Sequence, residues 1–190
     1  MSQPIKIKLP QPHPGQVKVI ESTARNKVLM CGRQWGKTLV CRIISINLML
    51  SSKALAYVTP THLLGREFYQ ELLKLLPAEI IQSDNQTDRK IVLKTGGSIK
   101  FFSGEALDQF RGNKFHYVII DEAAFIPDLK AAWKAIRPTL MFYQGSSIWI
   151  STPNGKDFFY QQYLRGKNKE KDWESFHFSS LDNPTLSKEE

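Results

Sequence analysis

The sequence predicts an α/β fold: a mainly parallel sheet flanked by helices. Two observations carry this. Strand and helix patterns alternate through most of the 190 residues, as they do when parallel strands are joined by crossover helices. Two short apolar runs also end in chemistry-bearing residues. KVLM runs into CGRQWGKT, and YVII runs into Asp121-Glu122. Open parallel sheets bind their ligands at the C-terminal ends of such strands.

Taken in order, residues 1–15 are Pro-rich and read as extended, with PHPGQ as a turn before a short helix over 17–25. The first core strand spans 27–30, and its helix spans 37–50. KALAYVTP gives a second strand, stopped by Pro60. THLLGREFYQELLKLL has apolar residues at helical spacing, with Thr61 as its N-cap and Pro77 beyond its end. RKIVLKTGGSIKFFSG reads as a hairpin turning at Gly96-Gly97. ALDQFRGNK is a short helix and loop. The run 117–120 is a buried strand, because parallel strands covered on both faces are continuously apolar. DLKAAWKAIRPTL is a helix ending near Pro138, SSIWISTP a strand, GKDFFYQQYLRG a helix and DWESFHFSS a last strand. The expected division is a core over 1–165 and a small lid subdomain or linker over 166–190.

Hydrophobic residues make up 42% and charged residues 23% of the chain, ordinary values for a globular domain with a sizeable core. No run approaches the roughly 18 apolar residues that span a bilayer, so no membrane partner is expected. The N-terminus has no signal-peptide core. Cys31 and Cys41 read as small packing residues in a reducing compartment, and no His/Cys cluster has zinc spacing. A net charge of +8 favours an anionic partner, with nucleic acid first.

CGRQWGKT is a phosphate cradle. Loop N–H groups and a helix N-terminus bind anionic oxygens, Lys37 reaches the β- and γ-phosphates, and the Thr38 hydroxyl ligates Mg²⁺. The usual first Gly of such a loop is replaced by Cys31, with Gly32 one residue later. Gly32, Arg33, Gln34, Trp35, Gly36, Lys37 and Thr38 form the expected ATP-binding loop. Asp121 is expected to hold Mg²⁺ through water, and Glu122 to orient and deprotonate the attacking water. Gln16 carries an amide able to donate to and accept from an adenine edge. Arg33 is poised for the γ-phosphate or for Glu122. Arg111 precedes the acidic strand and is a candidate arginine finger toward a neighbouring subunit. Ser151, Thr152 and Pro153 end a buried strand beside the phosphate edge, where they would relay hydrolysis. Lys94 and Lys100 flank the hairpin turn and are candidate DNA-backbone contacts.

In this order and at this spacing, CGRQWGKT, VIIDEAAF and STPNGKDFFY resemble the ATPase domain of the large terminase subunit of tailed bacteriophages. The resemblance covers about 11–184. It implies a P-loop NTPase of the additional-strand catalytic-Glu (ASCE) type, hydrolysing ATP with Mg²⁺ to drive double-stranded DNA into a procapsid. It assigns Gln16 to the adenine motif, Arg33, Lys37 and Thr38 to the phosphate loop, Asp121 and Glu122 to the metal-holding and catalytic acids, and Ser151 to Pro153 to coupling. Arg111 takes the place of an Arg proposed to act in trans. The implied partners are DNA, a ring of like subunits (a pentamer), the portal protein and the small terminase subunit. The implied location is the host cytoplasm, transiently at the portal. The family's RNase H-like nuclease domain is not expected in this chain. Two other classes share these features: a superfamily 2 helicase-like ATPase, and a nucleotide-inactive DNA-binding module that keeps a degenerate loop.

Overall fold

A computed structural model describes residues 7–186. Eight strands form one sheet: β1 (Asn26–Cys31), β2 (Ala54–Thr59), β3 (Ile81–Asn85), β4 (Lys90–Leu93), β5 (Ser98–Ser103), β6 (Tyr117–Asp121), β7 (Ser146–Ser151) and β8 (Trp173–Phe178). Their order is β3-β4-β5-β2-β6-β7-β1-β8. All pairings from β5 through β8 are parallel, and only the β3–β4 and β4–β5 pairings are antiparallel. The expected α/β class is thus the observed one. β7 lies between β1 and β6, so one additional strand separates the strand feeding the phosphate loop from the strand carrying the acids.

Five helices cover the sheet: α1 (Pro14–Glu21), α2 (Lys37–Leu50), α3 (His62–Leu75), α4 (Leu129–Met141) and α5 (Phe158–Lys167). Side-chain alternation along each strand divides the core between two faces. Leu29, Tyr57, Ile119 and Ile150 pack with α2 and α3; Val28, Val58, Ile120 and Trp149 pack with α4 and α5. Trp149 is fully buried, lies 4.7 Å from the Trp133 ring and donates its indole N–H to Ser147 Oγ at 3.1 Å. Its replacement by Ala should lower unfolding free energy by about 3–5 kcal/mol. Chemical denaturation measures this, and a loss under about 1 kcal/mol would mean that the site collapses around the gap.

Four expectations need correction. α1 starts at Pro14, not residue 17: His13 caps it, its ring nitrogen accepting from Gln16 N while Gln16 Oε1 accepts from His13 N, and Pro at the first helical position suits the start. α4 runs through Pro138 to Met141; Lys134 and Pro138 both face solvent, so water serves the carbonyl that lacks its helical partner. β3 had no signal in the sequence, because it is largely exposed and has no alternating apolar face. The segment assigned to a separate lid supplies β8, which pairs with β1 along its length, so a boundary at 165 cuts through the sheet. Residues 187–190 of that segment lie outside the described residues.

Candidate active site

β1 ends at Cys31, and the chain turns through residues 32–36 into α2. Gly36 is the N-cap of α2, in the left-handed region at φ 99°, with no side chain capping the helix. A Cβ there would run into Gln16 Nε2. Gln34 is also left-handed, at φ 59°. The uncapped helix start presents N–H groups and the positive end of the helix dipole. Among the described residues, the N–H groups of Trp35, Gly36, Lys37 and Thr38 donate to no backbone acceptor. That is the electrostatic requirement of an anion site.

Lys37 lies against this loop, its Nζ 3.8 Å from Glu122 Oε1, and its side chain is only 11% exposed. Glu122 follows β6 in the left-handed region at φ 48°, a conformation that a non-Gly residue keeps only where its surroundings hold it. The hold is Ser151, fully buried at the end of β7. Its hydroxyl donates to Glu122 Oε2 at 3.4 Å and accepts from Ala124 N at 3.2 Å. Asp121 stands beside them. Tyr57 OH donates to its Oδ2 at 2.5 Å, and Glu122 N to its Oδ1 at 3.0 Å. Burial raises the Asp121 carboxyl to about 6, partly opposed by the Tyr57 hydrogen bond. A carboxylate that loses its hydration gains from a nearby cation. The donor set suits Mg²⁺: one carboxylate, and the Thr38 hydroxyl in the first turn of α2. Both are hard oxygen ligands that leave room for phosphate oxygens and water.

The structure therefore brings Lys37, Glu122, Asp121 and Ser151 together, with Thr38 one residue along the helix. Other expected residues are placed differently. Gln16 is buried, and its amide is committed, Oε1 to His13 N and Nε2 to Gly36 O at 3.1 Å; it ties the loop instead of facing an adenine. Gly32 N donates to Phe178 O at 3.0 Å, so that N–H is not free for a phosphate. The residue is Gly because a Cβ would lie 2.6 Å from Ser180 N. Trp35 is fully buried, stacked on Phe178 at 4.7 Å, so only its backbone faces the site. Arg33 is exposed, with no ion pair among the described residues. Arg111 is nearly free of the protein surface, 86% exposed with Asp108 at 3.4 Å, and touches none of Lys37, Asp121 or Glu122. Thr152 is half-buried and Pro153 exposed. Lys94 lies at the hairpin turn, whose Thr95 hydroxyl donates to Met49 O at the C-terminal end of α2, the opposite edge of the sheet from the loop. Lys100 lies over the Phe102 ring and opposite Lys90. Cys31 and Cys41 are free and buried; burial pushes the Cys31 thiol up to about 12.

Tyr57, His13 and Asn183 enter the site region without having been expected. Tyr57 is legible in hindsight: it lies on β2, which neighbours β6, with Asp121 just beyond its paired partner Ile119. His13 and Asn183 have no motif, since their contacts are set by tertiary packing.

Comparison with known proteins gives concordant findings. The family model described as terminase large subunit, T4-like-virus type, N-terminal, matches residues 28–190. A terminase large subunit of Thermus virus P23-45 is 30% identical over 90% of this chain and 43% of its own length. This chain thus spans about two fifths of that curated relative. The large terminase ATPase domain of Thermus phage P74-26 superposes with a TM-score of 0.79 at 26% identity, covering 90% of this chain and 82% of that one. The large terminase of another thermophilic bacteriophage, solved in complex with ADP, shares the fold with a TM-score of 0.75 at 21% identity, over 93% of this chain and 47% of its own. No described helix is long and apolar enough to cross a membrane.

Proposed function

Because the chain belongs to the family of terminase large-subunit N-terminal domains, we propose that it is an ATP-hydrolysing motor domain that powers movement of double-stranded viral DNA into a procapsid. The observation that carries this reading is the pairing of Lys37 with Glu122 across the mouth of an uncapped helix. A lysine and a carboxylate so placed are suited to phosphoryl transfer, where positioning and charge stabilisation supply most of the catalysis.

Loop N–H groups and the start of α2 bind the phosphates of ATP. Lys37 shifts from Glu122 to the β- and γ-phosphate oxygens, and Glu122 is left to accept a proton from water aligned with the γ-phosphate. Ser151 keeps the Glu122 carboxylate aimed during that exchange. Asp121 and Thr38 would hold Mg²⁺, whose chemistry there is neutralisation of charge on the phosphate oxygens. Ser151 belongs to β7 and touches both Glu122 and Ala124, so a change at the γ-phosphate reaches the segment 152–157 that leads into α5. The DNA, portal and small-subunit partners, and the ring of like subunits, belong to this proposal.

Steady-state hydrolysis of MgATP by the purified chain tests it. Lys37→Ala should weaken nucleotide binding by about 10- to 100-fold, the range for a charged hydrogen bond lost from an anion. Titration calorimetry reads this, and unchanged affinity would mean that the loop does not bind phosphate.

A further inference from the structure

Three consecutive carbonyls of the phosphate loop are held by side chains from outside the loop. Asn183 Nδ2 donates to Gln34 O at 2.7 Å, His13 Nε2 to Trp35 O at 3.2 Å, and Gln16 Nε2 to Gly36 O at 3.1 Å. The His13 tautomer follows from its surroundings. Nδ1 accepts from Gln16 N, so Nε2 carries the hydrogen. In a planar trans peptide the C=O and N–H point in opposite directions. Fixing the carbonyls of 34, 35 and 36 therefore aims the N–H groups of Trp35, Gly36 and Lys37 the other way, toward the anion.

Two of these ties come from α1 and its cap. The third comes from far along the chain, from the turn after β8. Asn183 is buried, and its Oδ1 accepts from Thr185 N at 3.0 Å and Thr185 Oγ1 at 2.8 Å. That fixes which end of the amide faces Gln34. The same turn is pressed against the loop at two further points: Ser180 against Gly32 and Phe178 against Trp35.

We propose that Asn183 is a positioning residue for nucleotide binding: its amide holds Gln34 in the left-handed conformation and so orients the loop N–H groups toward the phosphates. This rests on the nucleotide reading above. It adds that the phosphate loop is completed by the segment after the last strand, so displacement of that segment weakens phosphate binding.

Asn183→Asp keeps the acceptor for Thr185 but replaces the donor with a carboxylate oxygen facing Gln34 O. Thr185→Val removes one bond of the same turn but leaves the donor in place. Titration with MgADP should show about tenfold weaker binding for Asn183→Asp, as for a lost hydrogen bond with a repulsion added. Thr185→Val should bind within about twofold of wild type, even where its melting temperature falls as far. Wild-type affinity in Asn183→Asp, or losses in both variants that track their melting temperatures, would overturn the proposal. Should Asn183→Asp be unfolded at the assay temperature, Asn183→Ser, too short to reach Gln34, carries the same expectation. Failure of the wild-type chain to bind MgADP would overturn the nucleotide reading itself, and this inference with it.

Discussion

Glu122→Gln should lower ATP turnover by about 10²–10⁴-fold, the usual contribution of a positioned general base, while nucleotide affinity stays within a few fold. The substitution suits the geometry. Gln is isosteric, its amide oxygen still accepts from Ser151, and the left-handed backbone at 122 strains Gln no more than Glu. What disappears is the proton acceptor and the partner of Lys37. Losing the ion pair frees Lys37 for the phosphates, so binding should hold or improve as hydrolysis falls. A single-turnover experiment with rapid quench separates the two. Cleavage of bound ATP at the wild-type rate would exclude Glu122 as the base and direct attention to another acceptor beside the γ-phosphate.

The core of this arrangement was legible in the sequence because it depends on local order. A buried strand ending in Asp121-Glu122, and a strand running through Gly36, Lys37 and Thr38 into a helix, place their polar residues at strand ends whatever the rest of the chain does. Ser151 was readable for the same reason. The rest depended on which strands become neighbours. Tyr57 meets Asp121 only because β2 pairs with β6. The glycine at 32, one place late for a phosphate loop, makes sense only once β8 lies beside β1 and Ser180 closes over it. Gln16 shows the converse case. Its position was noticed, but its contact was set by the capping geometry of α1, which turns the amide inward to the loop. β3 could not be read, because its stability comes from pairing with β4 and not from a buried face of its own.

Arg111→Ala should reduce turnover by about 10³–10⁵-fold if the residue serves as an arginine finger, with nucleotide affinity unchanged. Within one subunit the side chain has little to do. It projects into solvent from the turn after residues 107–110, and its ion pair among the described residues is an exposed one with Asp108. Exposed pairs of that kind contribute little to stability. Among the described residues, the cation paired with the active-site acids is Lys37. A charge-stabilising arginine must come from Arg33 on the same loop or from the neighbouring subunit, and the two sources give different experiments. Arg33 acts alone, so activity per subunit would be independent of protein concentration and Arg33→Ala would carry the loss. Arg111 acts across an interface, so specific activity should rise with concentration, and Arg111→Ala mixed with Glu122→Gln should regain part of the lost turnover. Each mutant is inactive by itself, yet one of the mixed interfaces pairs an intact Arg111 with an intact Glu122. No recovery in a ring shown to contain both mutants would place the arginine function in cis.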